Sequence, residues 1–236
     1  IFGFIFTFFS SFGQSFFLGL FNAPIRNEIG ITHGQFGSIY AIATIFSSLL
    51  FIWAGKKIDD FRLLNYSFFV IILLFLSALF FSFIHNIYLL TIGIFLMRFS
   101  GQGLMSHTSS TAISRYFEKS RGKALSATWF GLSTAEFILP VLIIYFLTIY
   151  SWRSVWQGIS IMVILILPLI INFTIKNINF ESREVDLEKK LKIKIKNWKR
   201  NEVLKDYRFY IISSNMLAMP WIFTGMAVYQ SFISDS

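Results

Sequence analysis

The sequence predicts an all-α membrane protein, a helical bundle with seven transmembrane helices and a cytoplasmic N-terminus. Of its 236 residues, 55% are hydrophobic and 14% are charged, whereas soluble domains carry about 25% charged residues. Long apolar runs recur along the chain, and a helix of about 20 such residues crosses the ~30 Å hydrocarbon core of a bilayer. There is no cysteine, which excludes disulfides, thiolate nucleophiles and cysteine metal sites.

Seven runs have the length and apolarity of a transmembrane helix. They are residues 1–22, 35–54, 66–84, 87–112, 124–148, 154–175 and 209–232. Only two formal charges fall inside them, Arg98 and Glu136. The first run has neither a basic start nor a small-residue cleavage site, so it does not resemble a cleaved signal peptide. Because the chain opens with Ile1 inside an apolar run, we expect it to be a fragment of a longer protein.

Basic residues are distributed unevenly among the connections between these runs. The connections 55–65, 113–123 and 176–208 hold 18 Lys and Arg residues, whereas the three others hold only Arg26 and Arg153. Basic residues accumulate on the cytoplasmic side of a membrane, so the odd-numbered helices are predicted to run outward. The net charge of +9 is thereby explained by topology, and no nucleic-acid partner is predicted.

The chain is predicted to divide into three parts. Residues 1–175 form an N-terminal six-helix bundle, 176–208 a basic cytoplasmic loop, and 209–236 the first helix of a truncated C-terminal bundle. We expect the missing C-terminal bundle of the same protein to be a partner of the first. Within the loop, the segment 189–200 holds seven basic residues in twelve. This segment fits a solvated loop, an extended strand, or an amphipathic helix on the anionic cytoplasmic leaflet.

Polar side chains recur at helical spacing in the first and fourth runs. They are Thr7, Ser11, Gln14 and Ser15 in the first run, and Arg98, Gln102, Ser106 and Ser109 in the fourth. One interpretation is that both stripes line a water-filled cavity that receives a substrate. The other is that the hydroxyl groups bond to their own helix backbone and mark a packing seam. The charge of Arg98 favours the cavity for the fourth run.

The predicted spans place Arg98 and Glu136 near the middle of the bilayer. Arg98 lies 11 residues from the outer end of its run, and Glu136 lies 12 residues from the inner end of its own. At 1.5 Å per residue these depths are roughly 16 and 18 Å. A charge at such a depth needs water or a partner. Either the two residues form an ion pair, or Arg98 binds an anionic solute while Glu136 compensates it or takes up a proton.

The fifth run carries small residues at four-residue spacing. They are Ala127, Gly131 and Ala135. Small side chains let two helix backbones approach closely in lipid, where apolar burial gives no drive for association. These residues therefore predict a helix-packing seam.

Several motifs resemble those of the major facilitator superfamily. Residues 55–59, Gly-Lys-Lys-Ile-Asp, are similar to its signature between helices 2 and 3, and Arg98 to Gly103 resembles its Arg- and Gly-containing segment of helix 4. Ser-Trp-Arg at 151–153 resembles its frequent Gly-Trp-Arg before helix 6. The resemblance implies two six-helix bundles, a substrate site between them near the midplane, and alternating access. It also implies a gating role for Gly55 and Asp59, although Asp60 replaces the usual basic residue.

The predicted function is secondary active transport of a small polar solute, with an organic anion as the candidate class. The alternative is a seven-helix receptor or sensor without transport activity. The spans contain no paired aspartates, no Ser/His dyad and no His/Glu metal spacing, so we predict neither an enzyme nor a cofactor or metal site. We expect a multi-pass protein of the plasma membrane, a bacterial inner membrane, which contacts lipid and a small-molecule substrate.

Overall fold

The computed structural model describes residues 1–117, 119–175 and 200–235, and every regular element in these ranges is helical. The chain forms two compact units, Ile1–Ile178 and Asn179–Ser236. The first unit contains α1 Phe2–Ser10, α2 Ser15–Leu20, α3 Asn22–Ile29, α4 His33–Ala54, α5 Leu63–Phe81, α6 Ile87–Met97, α7 Ser106–Tyr116, α8 Arg121–Ile149 and α9 Trp152–Ile175. The second contains α10 Arg200–Lys205 and α11 Tyr207–Asp235. The predicted basic segment 189–200 lies outside the described residues except for its last residue.

Six helices in the described residues are long and apolar enough to cross a membrane. They are His33–Asp59, Leu63–Phe81, Ile87–Tyr116, Arg121–Ile149, Trp152–Ile175 and Tyr207–Tyr229. They correspond to the second to seventh predicted spans, and the predicted helical membrane bundle is confirmed. The count of seven spans, the cytoplasmic N-terminus and the three-part division stay predictions.

The first predicted span, 1–22, is not one continuous helix. After α1 the chain tightens into a 3₁₀ turn at Ser11–Gly13, and Gln14 is extended with φ −81° and ψ 157° before α2 begins. This break lies against a π-helix, Arg98–Met105, which joins α6 to α7. A Cβ atom on Gly101 would lie 2.8 Å from the nitrogen and 2.9 Å from the Cα of Gly13. The two chains therefore cross at a distance that only glycine allows.

Local sequence signals set the ends of several helices. Thr32 and Gln35 form a reciprocal capping box at the start of α4, which satisfies two backbone N–H groups that the helix itself cannot pair. At the start of α6 the side chain of Asn86 caps the helix by accepting from Leu89 N. Gly30 ends α3 at a φ of +75°, a conformation that glycine adopts without steric cost.

A cluster of aromatic rings lies in the interior of the first unit. Trp156 of α9 is fully buried and lies 4.7–5.5 Å, between ring centroids, from Phe17, Phe21 and Phe81. Phe17 lies in α2, Phe21 lies between α2 and α3, and Phe81 ends α5. The aromatic cluster thereby holds α2 and α3 in place, although neither is long enough to be stable alone.

Helix α1 packs along α8 at a close seam. Gly131 is buried there, and a Cβ atom on it would collide with the backbone carbonyl of Phe4. Ala135 is fully buried, whereas Ala127 is exposed. The structure thus brings two of the three predicted small residues to the seam and leaves Ala127 on the outer surface.

Candidate functional site

Arg98 is buried at the break in the first span. It begins the π-helix and is 6% exposed. Its Nη1 donates to the carbonyl oxygen of Gly13 at 3.2 Å and to Ser15 Oγ at 3.3 Å. Both acceptors flank Gln14, where the helical hydrogen bonds are interrupted. A positive charge here also opposes the partial negative charge at the carboxyl end of the preceding helical segment.

Tyr40 of α4 completes the surroundings of the guanidinium. The ring centroid of Tyr40 lies 5.2 Å from Arg98 Cζ, within the range of a cation–π interaction. The Tyr40 hydroxyl donates to Ser15 Oγ at 2.8 Å, the same oxygen that accepts from Arg98. Tyr40 is 4% exposed, so the network lies inside the protein.

No carboxylate of the described residues pairs with the guanidinium. Arg98 Nε lacks a hydrogen-bond partner, and no ion pair within the described residues includes Arg98. Of the two interpretations left open, the ion pair between Arg98 and Glu136 is not formed in this structure, and anion binding by Arg98 stays a prediction. Glu136 lies half-buried on α8; its position in the sequence predicts its depth but not the direction of its side chain. Inside a bilayer, a charge without a partner costs at least about 2.5–3.5 kcal/mol.

Four other predicted cavity residues lie on the same two crossing segments. Gln14 and Gln102 are half-buried. Ser11 and Ser106 are buried, and neither hydroxyl has a hydrogen-bond partner within the described part of the chain. Polar groups in such positions are usually satisfied by a bound molecule or by water. These four residues fit a polar site.

Thr7 does not belong to that site. It is fully buried between α1 and α8, where its Oγ1 lies within hydrogen-bonding distance of the carbonyl oxygens of Thr128, Gly3 and Phe4. Helical spacing groups Thr7 with Ser11 and Gln14, but a threonine that packs against a neighbouring helix has the same spacing. The structure places Thr7 at the packing seam between α1 and α8, and its cavity role stays a prediction.

The connection between α4 and α5 is tied to the end of α7. It begins with a 3₁₀ turn, Gly55–Asp59. Asp59 accepts a hydrogen bond from Arg115 in an ion pair, and the Gly55 oxygen lies 3.0 Å from His107 Nε2. Asp60 pairs instead with Lys57 of its own turn, at 3.0 Å. Of the two neighbouring aspartates, only Asp59 links separate segments through an ion pair.

A second arginine cluster was not predicted. The Glu28 carboxylate accepts from Trp152 Nε1 at 2.7 Å and from Arg153 Nη1, and Arg153 Nη2 donates to the carbonyl of Ile84. Burial alone would raise the pKa of Glu28, but the hydrogen bonds from Arg153 and Trp152 outweigh it and hold this pKa below 4.5. The available signal was that Glu28 is the sole carboxylate in the three connections poor in basic residues.

The described residues contain no group of three or more His, Cys, Asp or Glu side chains that could hold a metal ion.

Comparison with known families agrees with the helical architecture. The family model of the Major Facilitator Superfamily matches residues 3–235. No curated protein and no solved structure matches the sequence. The match spans both compact units and all six membrane-length helices. The chain therefore belongs to the major facilitator superfamily, a family of multi-pass membrane transporters.

Proposed function

We propose that the protein is a secondary active transporter of a small organic anion. The observation that carries this proposal is the Arg98 guanidinium, which is buried, lacks a carboxylate partner in the described residues and has an unpaired Nε. A fixed positive charge at the depth predicted for Arg98 is suited to a transported anion, which neutralises the charge while it is bound. Gln14 and Gln102 supply further hydrogen-bonding groups for the solute.

The break in the first span supports the same function. Secondary transporters commonly build their sites from discontinuous helices, since an interrupted helix exposes backbone groups at the midplane. In this chain the freed Gly13 carbonyl accepts from Arg98. Relative movement of the two crossing segments would change the position of the arginine and its affinity for the solute. Alternating access requires such a difference between states.

The Asp59–Arg115 ion pair is the proposed gate. It joins the connection after α4 to the end of α7, at the end of the bundle that the basic residues predict to be cytoplasmic. Breaking one exposed ion pair costs little free energy, so the contact can open and close during a transport cycle.

Glu136 is the proposed site of proton coupling. It lies in a membrane span, is half-buried and forms no ion pair within the described residues. We expect Glu136→Gln to abolish uptake driven by a pH gradient while leaving exchange of the solute across the membrane. Because Arg98 and Glu136 do not pair, the double variant with Arg98→Gln should not recover uptake. Recovery would restore the ion-pair interpretation.

Uptake in liposomes tests the proposed function. The natural full-length protein is reconstituted into liposomes. Labelled monocarboxylates, dicarboxylates, amino acids and sugars are then added, with imposed pH or sodium gradients. We expect accumulation of at least one carboxylate and its loss in Arg98→Gln. Uptake of neutral solutes alone would refute an anion site. Binding of a carboxylate without uptake would favour the receptor or sensor alternative.

The orientation has its own test. Single cysteines at the exposed positions Lys56 and Arg121 should react with a membrane-impermeant thiol reagent only after cells are opened, because these connections are rich in basic residues. A cysteine at the exposed Asn27 should react in intact cells. The reverse pattern would invert the proposed topology in the inner membrane.

A further inference from the structure

Arg98 is tied to the broken first span through one atom of its guanidinium. Its hydrogen bonds to Gly13 and Ser15 both leave from Nη1. Nε has no partner within the described residues although the side chain is more than nine-tenths buried. A guanidinium presents its donors in a rigid planar fork, so fixing Nη1 also fixes the direction of the edge formed by Nε and Nη2.

Tyr40 restricts this guanidinium in two ways. Its ring lies 5.2 Å from Arg98 Cζ, which limits rotation of the guanidinium plane. Its hydroxyl donates to Ser15 Oγ at 2.8 Å and so positions the oxygen that accepts from Nη1. The ring of Tyr40 therefore restricts the Arg98 guanidinium directly, and its hydroxyl restricts it through Ser15.

We propose that Tyr40 is a positioning residue that presents the Nε and Nη2 edge of Arg98 to a planar carboxylate, which binds through two parallel hydrogen bonds. This inference rests on the proposed anion transport and narrows its substrate class to carboxylates. A carboxylate matches the two-donor edge in spacing and shape. A spherical halide is attracted by the positive charge but cannot form the two parallel hydrogen bonds. Selectivity for carboxylate over chloride is thus a property of how the arginine is held.

The two contributions of Tyr40 separate in two variants. Tyr40→Phe keeps the ring but removes the hydrogen bond to Ser15, and we expect acetate affinity to fall about threefold to tenfold. Tyr40→Leu also removes the aromatic face, and we expect a further loss of about threefold. Chloride affinity should change less than twofold in both, because the positive charge remains. Tyr66→Phe is the matched control, since that hydroxyl donates to the carbonyl of Ala54, 3.1 Å away and outside the site.

The experiment measures dissociation constants from the thermal unfolding of the purified protein. Sodium acetate, sodium benzoate and sodium chloride are titrated at constant ionic strength into the wild type, the two Tyr40 variants, Tyr66→Phe and Arg98→Gln. The expected result is a carboxylate-to-chloride selectivity that falls from wild type to Tyr40→Phe to Tyr40→Leu and is unchanged in Tyr66→Phe. A general packing defect would lower the unfolding temperature without changing that ratio.

Two outcomes separate this inference from the proposed function. If Arg98→Gln loses carboxylate binding while both Tyr40 variants keep the wild-type selectivity, the positioning role of Tyr40 is overturned and anion binding stands. If the wild type binds neither carboxylate, or Arg98→Gln binds them as the wild type does, the anion site itself is wrong and the inference falls with it.

Discussion

Arg98 and Arg153 have similar surroundings except for one group. Each guanidinium lies against an aromatic ring, Tyr40 at 5.2 Å and Trp152 at 4.2 Å, and each donates to a backbone carbonyl. Arg153 also binds the Glu28 carboxylate, whereas Arg98 pairs with no carboxylate in the part of the chain that the structure describes. Among these residues, the arginine at the end of the bundle has a counter-ion and the arginine in the middle of a span has none.

This difference separates a structural arginine from a binding one. In the Glu28 cluster the carboxylate, the indole and the guanidinium satisfy one another and join the end of α3, the connection after α5 and the start of α9. At Arg98 the protein satisfies Nη1 and leaves Nε unpaired. A buried charge without its counter-ion lowers stability unless an anion binds there for part of the cycle.

The largest expected effect is on transport by Arg98 variants. Arg98→Lys keeps the charge but loses the planar fork, so we expect at least about a tenfold rise in KM for carboxylate uptake. Arg153→Lys, its matched control, should change KM less than twofold because its partner Glu28 is not a substrate. Uptake assays in liposomes measure KM for both variants. A normal KM in Arg98→Lys would show that a point charge is sufficient for carboxylate recognition.

A smaller effect is expected at the gate, where Asp59 pairs across two segments and Asp60 within its own turn. Asp59→Asn should lower the maximal uptake rate about fivefold without reducing the amount of protein in the membrane. Asp60→Asn should leave the rate within a factor of two. Rates are normalised to protein detected by immunoblot, and equal effects of the two variants would remove the special role of Asp59.

The Glu28 cluster should affect stability rather than transport. Glu28→Gln removes the charge that Arg153 pairs with, and we expect the unfolding temperature in detergent to fall by about 2 °C with unchanged KM. Asp60→Asn serves as the control, because its partner Lys57 lies in the same turn. If Glu28→Gln instead abolishes carboxylate uptake at full stability, Glu28 belongs to the transport machinery and the division between the two arginines fails.

The smallest effect concerns pH. The pKa of Glu28 in the folded protein lies below its ordinary 4.5, so the contribution of the cluster is fully present above pH 4.5 and is lost as the pH falls through the lowered pKa. The difference in unfolding temperature between wild type and Glu28→Gln should therefore be constant above pH 5 and shrink below pH 4.5. A difference that grows on acidification would contradict the assignment.

Hydropathy and charge predicted the six long helices because the apolarity of a membrane span is a local property of about 20 residues. The break at Gln14 was missed because no proline marks it; it depends on the approach of Gly13 to Gly101 from a distant part of the chain. Similarly, sequence spacing gave the depth of Arg98 and Glu136 but not their directions around their helices. For the same reason the sequence could not distinguish a packing position from a cavity position for Thr7, since both have one helical spacing.

The most direct test is the affinity of the purified protein for the carboxylate that it transports. Isothermal titration would compare the wild type, Arg98→Gln and Arg153→Gln, each confirmed as folded by size-exclusion chromatography. We expect no detectable carboxylate binding in Arg98→Gln and an affinity within twofold of wild type in Arg153→Gln. Wild-type affinity in Arg98→Gln would contradict the claim that the unpaired arginine at mid-span is the anion site.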